Sequence, residues 1–92
     1  MLERTVTIRN ALGMHARAAA RFVHVAGIFD SRITVTREDR RERHVDGKSI
    51  LGLLLLAAAR GVAICITADG ADEEEALGAL CRLVEGGFGE ET

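Results

Sequence analysis

Leu12-Gly13-Met14-His15-Ala16-Arg17 sets a histidine between a glycine turn and an arginine, where an alternating strand pattern gives way to a helical one. A histidine at such a junction lies beside the unpaired N–H groups that open a helix, a ready site for phosphate or another anion. Histidine can also carry a group covalently and pass it on. A phosphorylated ring nitrogen is a reactive phosphoramidate, so its protein must stabilise the phosphate oxygens without hydrolysing the bond. Backbone N–H groups of Ala16, Arg17 and Ala18 offer fixed dipoles for that task. The Arg17 guanidinium adds a planar, permanently charged fork. Taken alone, His-x-Arg is a weak motif, and the bland alternative is a loop histidine beside a solvated arginine.

A second candidate is Gly47-Lys48-Ser49-Ile50. Serine before a helix is first of all an N-cap, yet a phosphate added there would also sit well against the helix N-terminus. The segment after Ser49 is apolar nearly all round, through Ile50, Leu51, Leu53, Leu54, Leu55 and Leu56. A helix lying on one face of a sheet cannot bury every side, so part of this surface should form an exposed docking patch. His24 and His44 lack metal-ligand spacing and a nearby cysteine, and they read as surface residues; no metal is expected. No serine–histidine–acid grouping, paired catalytic carboxylates or glycine-rich nucleotide loop is present. A catalytic cycle of its own, or a cofactor, is therefore not expected.

These residues need elements to hold them. Val6 and Ile8 alternate with polar residues as a first strand, and Asn10 to Gly13 forms a loop. Ala16 to Ala26 is helical, with Ala19, Phe22, Val23 and Ala26 on one face, Arg17, Arg21 and His24 on the other, and Gly27 as a C′ stop. Ile33 and Val35 mark a second strand, Glu38-Asp39-Arg40-Arg41 a turn, and Glu42 to Asp46 a polar third strand. Ser49 to Ala59 reads as a short helix, and Val62, Ile64 and Ile66 as a fourth strand. Asp72 is expected to cap the last helix, with Glu75 as its capping-box partner and Ala76, Leu80, Leu83 and Val84 as its buried stripe. The order β-α-β-β-α-β-α suits one sheet covered on a single face.

Ninety-two residues allow one small core, and residues 1–92 read as a single domain. Tryptophan and tyrosine are absent, and the formal charge is −2. That combination lacks both a stacking platform and a basic surface, so nucleic acid is not an expected partner. The longest apolar run, Ile50 to Ala59, is far short of the ~20 residues of a spanning helix, and the start lacks the order of a signal peptide. Cys65 and Cys81 fall in apolar patterns and read as buried free thiols of a reducing cytoplasm. The expectation is a cytoplasmic monomer without membrane contact.

Both motifs, at this separation and in this element order, resemble the histidine-containing phosphocarrier (HPr) family of the bacterial phosphoenolpyruvate-dependent phosphotransferase system. The resemblance covers nearly the whole chain. Leu12 to Arg17 is similar to the family's active-site signature, and Gly47 to Gly52 with Leu53-Leu54-Leu55 to its regulatory-serine signature. It implies an α+β open-faced sandwich, with an antiparallel four-stranded sheet in the order 1-4-2-3 and three helices on one face. It implies that His15 takes phosphate on Nδ1 from enzyme I and hands it to an EIIA domain, with Arg17 assisting. Ser49 would be the target of HPr kinase/phosphorylase. Ile50, Leu51 and Leu54, with the face bearing Arg17, Arg21 and His24, would meet the partners, transcriptional regulators among them.

The family usually has proline where this chain has Ala18, which leaves an extra N–H near the phosphate and puts the lifetime of the phosphohistidine in question. The Ser49 region looks like the sugar-system carrier. The acidic opening of the last helix and the ending Gly87-Phe88-Gly89-Glu90-Glu91 look closer to the nitrogen-related carrier. A different class of function is a regulatory docking module gated at Ser49.

Overall fold

Alternating side chains give the sheet two unlike faces, and only one of them is covered. The computed structural model describes residues 1–90. Its strands are β1 (Leu2–Thr7), β2 (Arg32–Arg37), β3 (Arg40–Asp46) and β4 (Ala63–Asp69); its helices are α1 (Ala16–Ala26), α2 (Ile50–Leu55) and α3 (Glu73–Glu85), followed by a 3₁₀ turn at Gly87–Gly89. The strands lie in the order β1-β4-β2-β3, every pair antiparallel. Register aligns Val6 with Ile64, Ile66 with Val35, and Ala68 with Ile33, and this row of apolar residues joins the core beneath the helices. The opposite row, with Thr5, Cys65, Thr36 and His44 in register, lies on the uncovered face. The element order and the 1-4-2-3 sheet agree with the expectation.

Phe22, Ala19 and Ala26 of α1 are fully buried, as are Ala76, Leu80 and Val84 of α3. Leu77 and Cys81 also belong to the α3 stripe, whereas Leu83 is only partly buried. Among the described residues no helix is long and apolar enough to cross a membrane.

Four local expectations need correction. The middle helix ends at Leu55 rather than running to Ala59, because the next residues are taken by other partners. Ala57 adopts φ 53°, the Ala58 carbonyl accepts the Met14 N–H at 2.9 Å, and the Ala57 carbonyl accepts the Arg37 guanidinium at 3.0 Å. Asp72 makes no side-chain cap on α3. Its carboxylate instead accepts the Asp30 and Ser31 N–H groups and the Ser31 hydroxyl, stapling the α1–β2 loop to the start of α3. The reach-back to the helix entry comes from Glu73, whose carboxylate accepts the Gly70 N–H at 3.1 Å.

Gly27 sits in the right-handed region at φ −67°, so α1 ends by further tight turns rather than a left-handed cap. Cys65 is buried on the uncovered sheet face beside Glu3 rather than in the apolar core; Cys81 is in the core. Both are free thiols, and burial pushes each of them up from the ordinary thiol range. The chain-end comparison reaches Glu91, which lies outside the described residues.

Candidate functional site

A glycine is required where the β1–α1 loop crosses the exit of α2. Gly13 has φ +65°, and a Cβ there would lie 2.6 Å from the Ala58 carbonyl oxygen and 2.8 Å from Ala59 Cα. The loop is closed by Asn10, which is fully buried. Its carbonyl accepts the Gly13 N–H at 3.1 Å, and its side-chain amide donates to the Gly13 carbonyl at 2.8 Å. Met14 is buried behind the loop, and His15 after it is partly exposed.

His15 is itself the N-cap of α1. Its backbone is extended (φ −76°, ψ 177°), and its carbonyl accepts the Ala19 N–H at 2.8 Å. Nδ1 accepts the Arg17 N–H at 3.2 Å, taking the place usually held by a serine or aspartate oxygen. With a donor at Nδ1, the proton of the neutral ring belongs on Nε2, which donates it in a hydrogen bond to the Glu90 carboxylate. Nδ1 thus keeps its lone pair and faces the helix opening. The side chain is 25% exposed, enough for a partner to reach.

Glu90 is carried there by the chain that follows α3. Gly87, Phe88 and Gly89 have φ of 66°, 58° and 74°, a left-handed run that folds the chain back towards α1. For Phe88 that conformation is strained. Burial of its ring to 1% exposure and donation from Arg21 to its carbonyl oppose the strain. Glu90 Oε1 accepts the Asn10 amide at 2.9 Å. That hydrogen bond, with further help from His15 and Arg21 and against the cost of burial, holds the Glu90 carboxyl below the usual carboxylate range.

Ala16 and Arg17 are exposed at the opening of α1, and Ala18 is fully buried. Arg21 and His24 lie exposed further along α1, although the Arg21 guanidinium is engaged with Phe88. Ser49 is the N-cap of α2, its hydroxyl accepting the Gly52 N–H at 3.0 Å. On α2, Leu53 is buried while Ile50, Leu51, Leu54 and Leu55 are exposed. The helix, apolar all round, therefore presents its expected surface patch. A shallow depression lined by Leu12, Met14, His15 and Ala57–Ala59 joins the histidine to the exit of α2. Among the described residues no cluster of histidine, cysteine or carboxylate side chains is arranged to hold a metal.

Asn10 and Glu90 went unrecognised in the sequence. The available signals were two glycines flanking Phe88 just after a helix, which mark a left-handed reversal, and an asparagine at the start of a glycine turn.

A family model described as "PTS HPr component phosphorylation site" matches residues 2–86. The phosphocarrier protein HPr of Neisseria meningitidis is 50% identical over 90 residues, covering 98% of both chains. The phosphocarrier protein NPr of Shewanella violacea is 42% identical over 89 residues, covering 97% of this chain and 94% of its own. A crystal structure of HPr from Thermoanaerobacter tengcongensis superposes with a TM-score of 0.91 at 43% identity, covering the whole of both chains. The open-faced sandwich and the matched sequence are those of phosphocarrier proteins. The chain belongs to the HPr family of the phosphotransferase system.

Proposed function

We propose that His15 is the phosphoryl-carrying residue, accepting the group on Nδ1 from phosphorylated enzyme I and passing it to an EIIA domain. The observation that carries this reading is the position of Nδ1. It accepts the Arg17 N–H at the positive end of α1, on a ring whose other nitrogen is already engaged by Glu90. On acceptance the Nδ1 lone pair forms the N–P bond as the donor's bond to phosphorus breaks, and delivery to the acceptor reverses this. The Arg17 N–H, released from Nδ1, turns to a phosphate oxygen beside the N–H groups of Ala16 and Ala18. The exposed Arg17 side chain closes on the phosphate from outside. No free-standing turnover is involved; the chain acts as a monomeric cytoplasmic carrier in transient complexes, without a cofactor.

The docking surface is the apolar patch of Ile50, Leu51 and Leu54 on α2, flanked by Arg17, Arg21 and His24 on α1. Apolar burial holds the partner, and the basic face speeds encounter with acidic surfaces. Phosphorylation of Ser49 by HPr kinase/phosphorylase would place about two negative charges at the edge of that patch, beside Ile50, and weaken docking. The higher identity to an HPr than to an NPr supports the sugar-transport branch. The test is a reconstituted relay of phosphoenolpyruvate, enzyme I, this chain and EIIA. Label should reach EIIA only when the chain is present, and His15→Ala should stop it. Passage of label through His15→Ala would refute the assignment.

The exposed leucines behind the Ser49 cap also favour a second reading, a docking module for transcriptional regulators gated at Ser49. It predicts ATP-dependent labelling at Ser49 and partner binding that survives loss of His15.

A further inference from the structure

Resting on the reading of His15 as the phosphoryl carrier, we propose that Glu90, locked by Asn10, is a positioning residue for the transfer. It holds a proton on Nε2 throughout the cycle and balances the positive charge that the ring acquires when Nδ1 bonds to phosphorus.

The geometry is a relay of three side chains, Asn10 and His15 from the β1–α1 connection and Glu90 from the segment that follows α3. Asn10 donates to Oε1 of Glu90, and the other oxygen, Oε2, meets Nε2 of His15. Each group has little freedom. Asn10 is fully buried and spends the same amide on the Gly13 carbonyl, while the Glu90 side chain is only 16% exposed. The strained turn behind Glu90 is secured at Phe88 by burial and by Arg21. Arg21 is the other charge acting on Glu90. A carboxylate carried by a left-handed turn through Gly87, Phe88 and Gly89 is a costly way to place an acid on an imidazole by chance.

The chemistry gives the placement a use. A neutral ring with its proton on Nε2 presents a lone pair at Nδ1. When that pair forms the N–P bond and the donor's bond to phosphorus breaks, the ring becomes a cation that still holds its Nε2 proton. On delivery the N–P electron pair returns to Nδ1, and the leaving group is neutral imidazole rather than imidazolate. No proton has to be gained or lost in either direction. A carboxylate on Nε2 favours the correct tautomer before transfer and the imidazolium during it, the same division of labour by which a buried acid orients a catalytic histidine elsewhere.

The test compares wild type, Glu90→Gln and Glu90→Asp in two measurements. The first reads the His15 tautomer in unphosphorylated protein by ¹⁵N NMR. Wild type and Glu90→Asp should hold the Nε2–H form, whereas Glu90→Gln, whose amide can either accept or donate, should populate both. The second is the rate of phosphoryl acceptance from phosphorylated enzyme I. Glu90→Gln should lower the maximal rate about tenfold, the value of roughly one pK unit of charge stabilisation, with the half-saturating donor concentration unchanged. Glu90→Asp should recover most of the rate. A Glu90→Gln protein that keeps a pure Nε2–H tautomer, or accepts phosphoryl at the wild-type rate, overturns the proposal. If wild type accepts no phosphoryl group, the carrier reading fails, and with it the charge-balancing half of the proposal; the tautomer comparison still decides the proton-holding half.

Discussion

The side-chain amide of Asn10 donates to Oε1 of Glu90 over 2.9 Å, although the two residues stand 80 positions apart in the chain. The same amide donates to the Gly13 carbonyl at 2.8 Å. One buried group therefore ties the loop that presents His15 to the segment that follows α3. Replacing Asn10 by alanine leaves both acceptors without their donor. The expected cost is about 1–3 kcal/mol of folding stability, read as a lower urea midpoint. Asn10→Asp should cost more, since it sets a second carboxylate against Glu90.

Gly13→Ala tests the crossing of the active loop over the exit of α2. The substitution combines a left-handed φ of +65° with a methyl group 2.6 Å from the Ala58 carbonyl. The loop must shift, and a loss of at least about 2 kcal/mol is expected. Because Met14 and His15 move with it, the His15 ring signals in an NMR spectrum should shift as well. An unchanged urea midpoint would contradict the packing described.

Stability should fall in acid, and the sign follows from three carboxylates. Asp72 is held below the usual carboxylate range chiefly by the Ser31 hydroxyl, Glu73 chiefly by the Gly70 N–H, and Glu90 chiefly by the Asn10 amide. A depressed value in the folded state means that the unfolded chain binds its proton first. The contribution is therefore complete above the ordinary carboxylate range and is lost as pH falls through the folded values. Urea midpoints should be level near neutrality and drop below about pH 4. The amino terminus behaves oppositely: the Glu73 carboxylate raises it, so its small contribution is lost in alkali. Asp72→Asn should flatten part of the acid slope.

Within α2, adjacent leucines should behave differently. Leu53 is fully buried, so Leu53→Ala should cost about 2–5 kcal/mol. Leu51 is 66% exposed, so Leu51→Asp should leave the midpoint within about 0.5 kcal/mol of wild type. If the patch is where partners dock, the aspartate variant should instead raise the concentration of enzyme I needed for half-maximal transfer. A stability loss equal to that of Leu53→Ala would place Leu51 in the core and remove it from the patch.

The strand and helix order was legible because periodicity of two and of 3.6 residues reports burial directly, as Val6, Ile64 and Ile66 or Ala19, Phe22 and Ala26 illustrate. His15 and Ser49 were legible for a similar reason, since both stand at helix openings where local chain chemistry decides the conformation. What escaped was long-range. The shortening of α2 depends on Met14 and Arg37 claiming carbonyls just beyond it. The staple at Asp72 depends on where the α1–β2 loop comes to rest. Cys65 looked buried from its neighbours and is, but on the uncovered face, which the alternation of β4 alone cannot distinguish. Glu90 could be placed only once the fold had returned the end of the chain to its beginning.

The most direct measurement is the chemical character and position of phosphate bound after incubation with phosphoenolpyruvate and enzyme I. One phosphate per chain is expected, labile in acid and stable in base, with a ³¹P NMR signal of an Nδ1 phosphoramidate, and none in His15→Ala. An acid-stable phosphate, or label retained by His15→Ala, would contradict it.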